Sequence, residues 1–123
     1  MAKKILIADD DDNIRRLVKM TLMDEGLETH EACDGEEAIK KVWEIKPDLV
    51  VLDVMMPKKV GYEVCEEIKN NRETSHAYVI FMTARGTSVA EASGTSSGGD
   101  EFMVKPFEPA ELRQKVKKAL NME

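Results

Sequence analysis

The sequence predicts a doubly wound α/β fold, with helices on both faces of a five-stranded parallel sheet. Two observations carry that prediction. Short apolar runs of strand length alternate along the chain with segments whose apolar residues recur at helical spacing. Three of those runs are apolar throughout, as strands covered on both faces must be. Parallel neighbours need a crossover, and the amphipathic segments supply it, giving the pattern βαβαβαβαβα. With 123 residues, the stretch 1–123 is expected to form one domain with a real core, and is too short for two.

The first strand is Ile5-Leu6-Ile7-Ala8. Ile14, Leu17, Val18, Thr21 and Leu22 then share one face of a helix, which Gly26 is expected to stop as a left-handed cap. Leu27 to Ala32 is more polar and suits an edge strand. Ala38, Ile39 and Val42 stripe a second helix that ends near Pro47. Leu49-Val50-Val51-Leu52 is the third strand, and Val64, Cys65 and Ile68 mark the third helix. Tyr78-Val79-Ile80-Phe81-Met82 is the fourth strand, and Glu101 to Val104 is short enough to occupy the far edge. Leu112, Val116, Ala119 and Leu120 stripe the last helix.

One crossover breaks the rhythm. Nine of the thirteen residues from Thr87 to Gly99 are Gly, Ser or Thr, and each interior glycine costs a helix about 1 kcal/mol relative to Ala. A weak, frayed or missing fourth helix is predicted there.

Composition narrows the function. Apolar residues make up 42% and charged residues 34%, the balance of a folded soluble chain. Acidic residues outnumber basic ones 24 to 18, so the clustered positive charge that starts nucleic-acid or anionic-membrane binding is missing. No apolar run approaches the length of a membrane span. Met1 to Ala8 has neither the core nor the cleavage site of a signal peptide. Cys33 and Cys65 show no metal or disulfide spacing. A cytoplasmic location and protein or small-ion partners are expected.

The chemistry lies just past the strands. The first ends in Asp9-Asp10, the third in Asp53, the fourth in Thr83 and the fifth in Lys105. In an open parallel sheet these carboxyl ends share one edge, where such folds bind ligands. Three carboxylates brought together repel unless a cation intervenes, and Mg²⁺ suits a few carboxylate oxygens plus water and phosphate. Asp53 could then attack an activated phosphorus to form an acyl phosphate. Lys105 would neutralise one phosphoryl oxygen, Thr83 would donate to another, and the small Ala84 would leave room. Asp11 and Asp12 read better as a solvated turn and helix cap. His30 and His76 have no partner at a recognisable spacing.

Ile5 to Asp10, Asp48 to Pro57, Met82-Thr83-Ala84 and Val104-Lys105-Pro106-Phe107 resemble, in order and spacing, the signature blocks of bacterial response-regulator receiver domains. That two-component family includes the single-domain chemotaxis regulators, and the resemblance runs from about Lys3 to Asn121. It implies a flavodoxin-like sheet of order 2-1-3-4-5. It implies a domain that is not an enzyme in its own right but takes a phosphoryl group from a sensor histidine kinase or phosphotransfer protein, or from acetyl phosphate, and then engages a downstream target. Asp10, Asp53 and the Met55 backbone carbonyl would hold Mg²⁺, with Asp9 acting largely through water. Thr83 and Phe102 would form the switch pair, Lys105-Pro106 would be cis, and Ile14, Leu17 and Phe107 would lie near the kinase-docking surface.

Three departures stand out. Val60 precedes Gly61 where the family commonly has an acidic or small polar residue. Met55 and Arg85 occupy positions that tune water's access to the acyl phosphate. The Ser/Gly-rich stretch from Thr87 falls on the usual output surface.

Alternatives belong to other classes. The chain is expected to be a stand-alone regulator or the receiver of a longer DNA-binding transcription factor. An aspartyl-phosphate phosphatase would carry a second Asp two residues past the nucleophile, where Met55 stands. A flavin protein would need phosphate donors where Asp9 to Asp12 would repel one.

Overall fold

The computed structural model describes residues 3–23, 26–56, 58, 60–83, 98–105 and 107–121. Within them run β1 (Lys4–Ala8), α1 (Asp12–Leu22), β2 (Glu28–Ala32), α2 (Gly35–Ile45), β3 (Leu49–Asp53), α3 (Gly61–Lys69), β4 (Tyr78–Thr83), β5 (Glu101–Val104) and α4 (Pro109–Ala119). The five strands form one sheet of order β2-β1-β3-β4-β5 with every pairing parallel. The doubly wound, flavodoxin-like prediction therefore holds. Of the β4–β5 crossover, residues 84–97 lie outside the described residues, and with them all but Gly98 and Gly99 of the Thr87–Gly99 stretch where a weak helix is expected.

Strand alternation splits the core in two. Ile5, Ile7, Leu49, Val51, Ile80 and Met82 face α1 and α4, meeting Val18, Leu22, Leu112 and Val116. Leu6, Ala8, Val50, Leu52, Val79 and Phe81 face α2 and α3, meeting Ala38, Val42, Val64, Cys65 and Ile68. Each large aliphatic chain removed from water contributes about 1.5–3 kcal/mol, so both faces of β1, β3 and β4 anchor the sheet. Cys33 is exposed and Cys65 buried, both as free thiols. Among the described residues no helix is long and apolar enough to cross a membrane.

Three local expectations need correction. Helix α1 ends at Leu22 with Met23 as a right-handed cap, so Gly26 does not cap it. Gly26 has the expected left-handed backbone (φ +71°), but sits in the turn leading to β2. On the predicted α1 stripe, Val18, Thr21 and Leu22 are buried, whereas Leu17 is 40% exposed because it lies at the rim of the buried face. His30 does have a partner. Its ring Nε2 lies 2.7 Å from Glu28 Oε2, since residues two apart share a strand face.

Candidate functional site

Parallel registration assembles the site. Ala8 pairs with Leu52, Asp53 with Met82, and Thr83 with Val104. The next residues, Asp9 and Lys105, therefore meet Asp53 and Thr83 along one sheet edge. Carboxylate oxygens of Asp9, Asp10 and Asp53 all lie within 4.8 Å of one another. Lys105 Nζ donates to Asp9 Oδ2 at 2.8 Å and lies 3.4 Å from Asp53 Oδ1. Among the described residues, Lys105 thus meets two of the three clustered carboxylates.

Asp9 is fully buried, Asp53 and Thr83 are nearly so, and Asp10 is exposed. Burial, followed by the negative charge of Asp9, pushes the Asp53 carboxyl up to about 6, although Lys105 and the Met55 N–H oppose the rise. For Lys105, burial works against the charge, but hydrogen bonding to Asp9 and the charge of Asp53 outweigh it and raise its pKa. Clustered carboxylates, hard oxygen donors and an Asp53 carboxyl pushed up by burial and by its Asp9 neighbour are what a divalent cation would relieve. The donor set fits Mg²⁺.

The loops serve this edge. Asp11 caps α1 through its carboxylate, accepting from the N–H groups of Asn13 and Ile14, as the turn-and-cap reading expects. Val60 occupies the N-cap of α3 and makes no side-chain capping bond. The Gly61 N–H donates to the Val54 carbonyl at 2.8 Å, and a Cβ at Gly61 would stand 2.3 Å from the Asp53 carbonyl oxygen. Only glycine allows α3 to start this close to the end of β3.

The other predicted residues scatter around this centre. Phe102 is half-buried with its ring 5.4 Å from that of Phe81, which meets Tyr62 edge-on at 5.1 Å. Met55 is 71% exposed two residues past Asp53. Ile14 and Phe107 both pack into the core beneath α1 and α4, with Leu17 at its rim. Pro57, Ala84, Arg85 and Pro106 lie outside the described residues.

Two contributors have no role in the sequence reading. Gly61 enters it only as the residue after Val60. Arg15, whose guanidinium Nη1 donates to the Asp9 carbonyl at 2.7 Å, does not enter it, and no spacing rule points to it.

Comparison with known proteins agrees with this architecture. The model of the response regulator receiver domain matches residues 5–117. The alkaline phosphatase synthesis transcriptional regulatory protein PhoP of Bacillus subtilis is 40% identical over 120 residues, covering 98% of this chain and 49% of PhoP. The chain thus spans about half the length of the curated relatives it matches. Among solved structures, the BeF₃-activated receiver domain of DrrB, a Thermotoga maritima OmpR/PhoB homolog, is 34% identical. It superposes with a TM-score of 0.90 over 98% of this chain and 99% of that one. The chemotaxis response regulator CheY4 of Vibrio cholerae is 28% identical, with a TM-score of 0.91 over 97% and 99%.

Proposed function

Because the chain belongs to the response regulator receiver domain family, a family of regulatory domains, we propose that Asp53 is its phosphoryl acceptor. The observation carrying this reading is the clustering of Asp9, Asp10, Asp53 and Lys105 at one sheet edge. Residues 1–123 would act as one receiver domain in the cytoplasm, taking the group from a sensor histidine kinase or phosphotransfer protein.

In the proposed step an Asp53 carboxylate oxygen forms a bond to phosphorus while the donor's P–N bond breaks, and the leaving imidazole takes up a proton. Mg²⁺, held by Asp10, Asp53 and the Met55 carbonyl with Asp9 assisting through water, would neutralise charge on the phosphoryl oxygens. Lys105 lies 3.4 Å from Asp53 and would exchange that contact for a phosphoryl oxygen while keeping Asp9. Thr83 would donate to another oxygen and, with Phe102, relay the change as the switch pair. The face around Ile14, Leu17 and Phe107 would receive the kinase.

The phosphorylated domain would then bind a downstream protein. The twofold greater length of PhoP, named as a transcriptional regulator, favours a second version in which these residues are the receiver of a longer DNA-binding regulator. The domain itself would bind neither nucleic acid nor membrane.

Intact-protein mass after incubation with acetyl phosphate and Mg²⁺ tests the acceptor. One phosphoryl increment is expected, lost in Asp53→Ala and on adding chelator. A folded chain that gains nothing, or an Asp53→Ala variant that still gains the increment, overturns the assignment.

A further inference from the structure

Asp9 is bonded at each of its polar atoms. Its N–H donates to the Ala32 carbonyl at 3.1 Å. Its Oδ1 accepts from the Asp11 N–H at 2.9 Å and its Oδ2 from Lys105 at 2.8 Å. Its carbonyl oxygen accepts from Arg15 at 2.7 Å. The first three bonds come from β2, the loop itself and the end of β5. The fourth comes from a side chain on α1 that has no part in the chemistry proposed above.

Arg15 is built in rather than trailing on the surface. Its side chain is only 13% exposed, and a guanidinium gives up that much water only where its donors are met. Here they are met on three sides. Nη1 holds the Asp9 carbonyl, Nε lies 3.3 Å from Glu31 Oε1 on β2, and Nη2 pairs with Asp12. Lys19 shares Glu31 at 3.5 Å, so the charges around the fork are matched. Lysine would keep the charge but not the fork.

The Asp9 carbonyl belongs to the planar peptide that continues into Asp10. Clamping that carbonyl fixes the plane from which the exposed Asp10 side chain departs. We infer that Arg15 is a positioning residue of the acidic pocket: it locks the Asp9–Asp10 peptide, sets the Asp10 carboxylate against Asp53, and anchors that setting to Glu31 on the edge strand. The inference rests on the reading of the pocket as a divalent-cation site.

Charge alone argues for the opposite effect. A guanidinium near the pocket repels a cation, and its removal would also leave Asp12 without this partner and Glu31 with Lys19 alone of the two cations paired with it here. A purely electrostatic Arg15 would therefore weaken Mg²⁺ binding, and its loss would tighten it. A positioning Arg15 strengthens binding, and its loss weakens it. The sign of the change separates the two.

The experiment is a calorimetric Mg²⁺ titration of the full chain near neutral pH, with Arg15→Lys, Arg15→Gln and Glu31→Gln beside it. Each variant is also melted in chelator. Both Arg15 variants should bind Mg²⁺ about tenfold more weakly, the usual scale for losing an outer partner of a ligand, and Arg15→Lys should do so despite its charge. Glu31→Gln, which leaves the arginine in place, should lose less in the same direction and serves if an Arg15 variant fails to fold. Phosphorylation by acetyl phosphate should then need more Mg²⁺ for half-maximal rate but recover the wild-type maximum at saturation, which a merely loosened fold would not do. Variants that match wild type within about twofold, or bind more tightly, overturn the positioning role alone. A wild-type chain that binds no Mg²⁺ overturns the cation reading and this inference with it.

Discussion

Lys105 donates to Asp9 at 2.8 Å, joining the end of β5 to a carboxylate with no exposure to solvent. The same ammonium lies 3.4 Å from Asp53, so it is the counter-charge for two buried acids. Replacing Lys105 with Met should destabilise the chelator-treated protein by about 2–4 kcal/mol, because one half of a buried pair is left uncompensated. Added Mg²⁺ should recover more stability in the variant than in wild type. Urea unfolding with and without Mg²⁺ measures both effects, and equal Mg²⁺ gains in the two proteins would contradict them.

The pH dependence follows from Asp53. Its folded pKa of about 6 lies above the ordinary value of 3.8, so between these values the folded chain binds more protons than the unfolded one. Without metal, this stabilising contribution is fully present below about pH 4 and is lost as pH rises through about 6. Asp53→Asn should remove that dependence and stabilise the metal-free protein at neutral pH by up to about 3 kcal/mol. Mg²⁺ binding to wild type should run the other way and weaken as pH falls below 6, since a proton competes for the same oxygen. Melting and titration series from pH 5 to pH 8 (roughly one unit below and two above that pKa) would show both slopes, or refute them.

Gly61 is expected to tolerate no side chain. A Cβ there would stand 2.3 Å from the Asp53 carbonyl and 3.0 Å from Val54 Cα, both backbone atoms that cannot swing aside. Gly61→Ala should cost about 1–3 kcal/mol, the range for overpacking. It should also slow phosphorylation, because relief requires moving the end of β3 that carries Asp53. Retention of both stability and rate would show that α3 slides away freely.

Val60 invites the reverse experiment. It stands at the N-cap of α3 and makes no side-chain capping bond, while the Gly61 and Glu63 N–H groups are met by the Val54 and Val60 carbonyls. Val60→Ser should stabilise the protein by about 1 kcal/mol, as a hydroxyl cap does, with little change in the rate of phosphorylation. A thermal melt reads the gain directly, and a lower melting temperature would mean that Val60 contributes more by packing than a cap returns.

The strands were the easiest elements to read, because Ile5 to Ala8, Leu49 to Leu52 and Tyr78 to Met82 are unbroken apolar runs. The structure extends each by only one residue, to Lys4, Asp53 and Thr83. Once those strands are parallel, topology brings Asp9, Asp53, Thr83 and Lys105 to one edge, so the acidic cluster was visible without coordinates. What was not visible depends on distances between backbone segments. Arg15 reads in sequence as an ordinary helical arginine, and its bond to the Asp9 carbonyl follows from where α1 begins relative to β1. Lys69 is similar. Its Nζ meets the Ala77 carbonyl at 2.6 Å and Asp100 at 2.8 Å, while Asp100 also accepts from the Val79 N–H. That three-way clamp below β4 has no local pattern. The end of α1 differs from the sequence reading for another reason: Gly26 adopts a left-handed backbone, but the helix stops at Leu22.

Met55 bears on how long the proposed phosphoryl group would last. Its side chain is 71% exposed, two residues past the acceptor, and its N–H is the smallest of the influences on the Asp53 carboxyl. The thioether is bulky and apolar, and offers an attacking water only a weak acceptor where an amide would offer two donors and a carbonyl. Met55→Asn should therefore shorten the half-life of the acyl phosphate. Stability should change by no more than about 0.5 kcal/mol, as for an exposed substitution. The decay of the phosphorylated mass after donor and Mg²⁺ are removed and returned separately distinguishes water access from a change in cation binding. An unchanged half-life in Mg²⁺ would show that Met55 does not shield the phosphorus, and control of hydrolysis would then have to be sought elsewhere around Asp53.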